Sequence, residues 1–121
     1  MPTTIKFTAP ISPVPFMRAI PALHVVNPKR YRQFKADLGW FAKLAMHGRE
    51  PFKGAIKLHA DFYKLSPKNP LSQRWGDGDN FLKAVMDALQ GICYLNDAQV
   101  KKAAFEKFYG EPHIEIELEE L

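Results

Sequence analysis

The stretch from Asp79 to Asp97 is the tightest constraint on how this chain folds. Phe81, Leu82, Val85, Met86 and Leu89 recur at three- and four-residue steps, so the segment from Asn80 to about Gln90 reads as a helix with one apolar stripe. Gly91 suits a left-handed C-terminal cap. On another face Asp79, Lys83 and Asp87 follow one another at four-residue intervals, which places Lys83 one turn above Asp79. The helix climbs about 15 Å at its usual rise per residue, and the run from Ile92 to Asp97 spans roughly 16 to 20 Å if extended. That length lets Asp97 come back beside Asp79. Asp77 and Asp79 would point apart within one helix but share a side in extended chain, so Asp77 is expected to precede the helix.

Carboxylates gathered in this way suit phosphodiester chemistry. The diester repels hydroxide, and a bound Mg²⁺ or Mn²⁺ offsets that repulsion, lowers the pKa of coordinated water and stabilises the leaving oxygen. Such hard cations take oxygen ligands, and Mg²⁺ commonly uses only one or two protein carboxylates. Lys83 is placed to pair with a ligand aspartate or to bind the scissile phosphate. An ordinary explanation stands beside this one: aspartates also crowd helix starts because they cap free N–H groups and complement the dipole, and Lys83 and Asp87 suit a solvated helix face.

Elsewhere the pattern alternates between strand and helix. Ile5, Phe7 and Ala9 alternate with polar residues, so Thr3 to Ala9 reads as a strand. Pro10, Pro13, Pro15 and Pro21 break regular structure after it, and a bare connection carrying Phe16, Met17 and Arg18 over the surface is expected. Asn27-Pro28 opens a second helix and Gly48 closes it. Its core stripe is Tyr31, Phe34, Leu38, Phe41 and Ala45; Lys29, Arg30, Arg32, Lys35 and Lys43 fill the remainder. Basic residues crowded at a helix start oppose the macrodipole and invite an anionic partner. Ile56, Leu58, Ala60 and Phe62 form a half-buried strand, and Leu65 to Trp75 reads as a loop with Arg74 and Trp75 leading into the aspartates. His113 to Glu119 is another strand, Ile114, Ile116 and Leu118 alternating with glutamates. Val100, Ala103, Ala104 and Phe108 fall at helical spacing, although Ala103, Phe105 and Tyr109 would also share one side of a strand.

Charge is uneven along the chain. Met1 to Gly76 carries 13 Lys and Arg against 3 Asp and Glu, Asp77 to Gly110 carries 4 against 5, and Glu111 to Leu121 carries none against 5. A basic first half beside an acidic cluster suits a protein that grips a phosphate backbone and cuts it, although an ordinary basic surface has the same composition. No run approaches the roughly 20 apolar residues of a membrane helix, and no signal-peptide pattern opens the chain. Cys93 is the single cysteine, so an internal disulfide is excluded, a cytoplasmic location is expected, and the thiol reads as packing rather than nucleophile. His24, His47, His59 and His113 lack zinc spacing, and no phosphate-binding or dinucleotide fingerprint is present.

The stretch GDGDNFLKAVMDALQGICYLNDAQV, residues 76 to 100, resembles the signature of RusA-like Holliday junction resolvases. In that family an Asp-x-Asp-Asn-x-x-Lys helix is followed by Asp-Ala-Gln-Val at this separation. The resemblance implies that Asp77, Asp79 and Asp97 are catalytic metal-binding carboxylates for Mg²⁺ (Mn²⁺ in its place), and that Lys83 is the essential basic residue. It also implies a strand after Asp97, four-way DNA junctions as substrate in recombination and repair, and a homodimer. Asn96 is a departure, since the family usually has a second aspartate there, and the change removes a charge. Arg18, Lys29, Arg30, Arg32 and Arg74 are the candidate DNA contacts. The expected architecture is one α+β domain over residues 1–121, a mixed sheet with two main helices. Two other readings stay open: a junction- or duplex-binding protein with weak or lost cleavage, and a general structure-selective nuclease.

Overall fold

The alternation of Ile56, Leu58, Ala60 and Phe62 with polar residues decides the layering, because it gives the central strand one dry side. In the computed structural model, which describes residues 4–16, 28–65 and 78–121, these four side chains are buried under two helices. The elements in chain order are β1 (Thr4–Ala9), α1 (Pro28–Met46), β2 (Ile56–Lys64), α2 (Gly78–Leu89), a single 3₁₀ turn (Asp97–Gln99), β3 (Val100–Tyr109) and β4 (His113–Glu120). The fold is α+β, a four-stranded mixed sheet in the order β1-β4-β2-β3. β4 is antiparallel to both β1 and β2, while β3 runs parallel to β2. Parallel neighbours need a long crossover, and α2 lies within it.

Register follows from the dry side. Phe7, Ile116, Ala60 and Phe105 are successive partners across the sheet, as are Ile5, Leu118, Leu58 and Ala103. A one-residue slip would turn each row to water. α1 covers the β1 side and α2 the β3 side, and the helices pack against each other. α1 buries Tyr31, Phe34, Leu38, Ala42 and Met46, and α2 buries Phe81, Ala84, Val85, Ala88 and Leu89. Each large apolar side chain so placed contributes about 1.5–3 kcal/mol. The opposite sheet face is polar: Glu117 pairs with Lys6 at 3.4 Å, and Tyr63 stacks between Phe108 and His113. The acidic side of β4 therefore lies away from both helices.

Two sequence expectations change here. Residues 10–16 are irregular, as the prolines require, but they are more than a connection. Pro13 and Val14 are buried, and the Phe16 amide donates to the Asn80 carbonyl at 2.7 Å, strapping this segment to the first turn of α2. The helical spacing after Asp97 misleads, and the strand implied by family resemblance is what forms. Lys101 to Ala104 are exposed, so this edge strand shows no clean alternation. Arg18, Asn27, Arg74, Trp75 and Asp77 lie outside the described residues.

Gly78 is required by a close approach. A Cβ there would collide with the ring of Phe105, which itself packs against Phe62 at 6.4 Å. Gly78→Ala is expected to destabilise the protein by about 1–3 kcal/mol, the usual range for overpacking. Urea unfolding measures this; an unchanged midpoint would contradict the tight packing of α2 on β3.

Candidate active site

Burial of its apolar stripe turns the polar side of α2 outward. Asp79 lies in the first turn, where a negative charge complements the helix dipole. Lys83 is exposed one turn later, and Asp87 is half-buried a further turn on. Gly91 adopts φ +88°, the left-handed conformation expected of it.

The chain beyond Gly91 does not run extended. Ile92 and Cys93 both donate to the Leu89 carbonyl, at 3.1 and 2.9 Å, and the Gly91 amide donates to Tyr94 at 2.6 Å. Tyr94 is buried, and its hydroxyl donates to the Met86 carbonyl at 2.6 Å. These bonds fold the return run into a turn held against α2. Asp97 consequently sits where its amide donates to the Gln90 side chain at 2.9 Å.

Asp97 is held on both sides. Asn96 caps the 3₁₀ turn, its Oδ1 accepting from the Ala98 amide at 2.8 Å. Gln99 Oε1 accepts from the amides of Leu95 and Asn96 at 2.9 and 3.0 Å. Its Nε2 donates to the carbonyls of Phe52 and Gly54, at 2.8 and 3.0 Å. Asn96 thus uses its side-chain oxygen as a cap, a task for which aspartate is equally suited.

Lys83 and Asp97 meet at an open cavity of about 320 Å³, together with Phe16, Met86 and Asp87. Asp79 lies one turn toward the helix start and is not part of that lining. Asp87, read from sequence as helix surface, accepts at Oδ2 from the Tyr31 hydroxyl at 2.7 Å and pairs with Lys35 at 3.1 Å. Burial, and then the bond and charge of Asp87, push the Tyr31 hydroxyl above its ordinary range. No local pattern signals this link between helices.

Basic residues occupy the first turns of α1 and the end of β2. Lys29, Arg30 and Arg32 are exposed on the first turns of α1. Lys64, at the end of β2, lies 5.6 Å over the Phe81 ring. Burial, and secondarily the charge of Arg30, lowers the pKa of Lys64. Lys64 was not among the candidates from sequence, where it reads only as the last residue of a strand.

Other chemistry lies elsewhere. Cys93 is fully buried, and burial pushes its thiol up to about 12. Alkylation by iodoacetamide at neutral pH is expected only after unfolding; rapid labelling of native protein would overturn the packing role. On the far sheet face His59 Nε2 lies 2.8 Å from Asp61 and 3.9 Å from Glu106. These are the three donors that converge closely enough for a metal among the described residues. His59 and Asp61 lie on the sheet face opposite the buried Leu58 and Ala60, and none of the three lines the cavity. No helix among the described residues is long and apolar enough to cross a membrane.

Comparison with known proteins adds two findings. Residues 10–119 match the sequence profile of Endodeoxyribonuclease RusA. An uncharacterized protein, YqaN, from Bacillus subtilis (strain 168) is 27% identical, the alignment covering 82% of this chain and 80% of that one.

Proposed function

The chain belongs to the RusA endodeoxyribonuclease family, and from that premise we propose that it is a divalent-metal-dependent endonuclease that resolves four-way DNA junctions as a homodimer. The observation carrying the proposal is the cavity that Lys83 and Asp97 share despite their separation in sequence. Asp97 is exposed there, and its carboxylate makes no hydrogen bond or ion pair among the described residues. Carboxylate oxygens are the donor type that hard cations such as Mg²⁺ take, and the exposed carboxylates of Asp79 and Asp97 are of that type.

In this reading Asp77, Asp79 and Asp97 would hold the metal, which when bound would offset phosphate charge and favour attack by water. Lys83 binds a non-bridging oxygen of the scissile phosphate and stabilises the charge that grows there during in-line displacement. Gln90, Asn96 and Gln99 hold the Asp97 turn in place, so little reorganisation is needed when the phosphate arrives. Lys29, Arg30, Arg32 and Lys64 bind flanking phosphates, joined by Arg18 and Arg74. A two-fold protein on a nearly two-fold junction explains how symmetrically placed strands would both be cut.

The test is incubation of the protein with labelled four-way junction and matched linear duplex, with and without Mg²⁺. Mg²⁺-dependent cleavage confined to the junction is the expected result. Binding without cleavage would favour a junction-binding protein that has lost activity, and equal cleavage of flaps or nicks a general structure-selective nuclease. Sedimentation equilibrium tests the dimer.

A further inference from the structure

The clasp between the helices ends at the cavity. Tyr31 and Lys35 are one turn apart on α1, and both reach Oδ2 of Asp87, which lines the cavity with Lys83 and Asp97. The Lys35 ammonium also lies 5.3 Å from the Tyr31 ring. One contact holds the Lys35 ammonium, and the other fixes the oxygen that it pairs with. The Tyr31 hydroxyl alone would already tie the helices together.

The Lys35 side chain keeps 37% of its exposure. An ammonium has three donors, so contact with Asp87 leaves others to face water; Lys35 itself is not part of the cavity lining, which it reaches through Asp87. Arg32 lies one turn earlier on α1 and is exposed, at the separation where helical side chains are neighbours.

We infer that Lys35 is a further phosphate-binding residue, held beside the cavity by Asp87, and that a DNA strand leaving Lys83 passes over α1 at Lys35 toward Arg32. The inference rests on the nuclease reading and extends its site onto the first helix. Lys35 contacts a phosphate next to the one that is cut, so its contribution is to substrate binding. Asp87 is a positioning residue that acts through it, and Tyr31 orients Asp87.

The experiment compares wild type with Lys35→Met, Lys35→Arg and Lys43→Met. Lys43 is an exposed lysine in the last turn of α1, and its variant controls for a general loss of charge. Binding to a four-way junction is measured without metal across a salt series, and cleavage kinetics with Mg²⁺. Lys35→Met should reduce the slope of log affinity against log salt by about 0.9, the loss of one phosphate contact. KM should rise about 3- to 10-fold with kcat nearly unchanged, the pattern of lost uniform binding. Lys35→Arg should restore both, and Lys43→Met should change neither.

An unchanged slope in Lys35→Met, with only a lower melting temperature, would overturn the inference and leave a clasp between helices. An equal slope change in Lys43→Met would also overturn it, since any surface charge would then suffice. Wild-type protein that binds junctions but does not cut them sinks the nuclease reading instead, while the metal-free slopes still decide the role of Lys35.

Discussion

Asp97→Asn will reduce Mg²⁺-dependent cleavage by at least about 10³-fold, equivalent to roughly 4 kcal/mol of barrier, while the protein remains folded. Asp79→Asn is expected to behave in the same way. The substitution keeps the side-chain size but removes a ligand charge from the proposed metal site, and a hard cation binds a neutral amide less well. Junction binding should be as tight as wild type or tighter, because a negative charge near phosphate has been removed. The exposure of both residues makes unfolding a poor explanation for lost activity, and circular dichroism checks this directly. Wild-type cutting by Asp97→Asn would remove the side chain on which the site reading most depends. Wild-type cutting by Asp79→Asn alone would confine the chemistry to the cavity that Lys83, Asp87 and Asp97 line.

The second large effect belongs to Lys83. Lys83→Ala is expected to lower kcat by about 10²–10³-fold, the usual cost of removing one donor to charge that develops in a transition state. Metal affinity should change little, since an ammonium is not a ligand. Because Lys83 is exposed on an otherwise well-buried helix, its loss should leave the melting temperature within a few degrees of wild type. Lys83→Arg keeps the charge but changes its shape, and partial activity is expected. Single-turnover cleavage with saturating enzyme measures the chemical step. A rate for Lys83→Ala within threefold of wild type would assign Lys83 to the solvated helix surface.

Particular residues show how far the site could be read in one dimension. The stripe of Phe81, Val85 and Leu89 is periodic, and periodicity is local information, so α2 and the outward direction of Asp79 and Lys83 were legible. Gly91 was legible for the same reason, since its positive φ is a local demand that glycine meets most easily. The turn at Ile92–Asn96 was not. Extended spacing missed the bonds from Ile92 and Cys93 to Leu89 that fold this return, and it did not show that Asp97 would line one cavity with Lys83 and Asp87. β3 was misjudged by periodicity because, in an edge strand exposed along most of its length, only Val100 and Phe105 are half-buried and alternation is weakly imposed.

From sequence alone came the helices, three of the strands with their buried sides and the basic character of the first half. Each depends on neighbours within a few positions or on charge, which needs no coordinates. The meeting of Lys83 with Asp97, the strap from Phe16 to Asn80 and the reach of Tyr31 and Lys35 to Asp87 depend on packing between segments far apart in the chain. Only the burial of both helices against one face of the sheet determines those distances, because the turn energies and apolar contacts that place them are satisfied together in three dimensions.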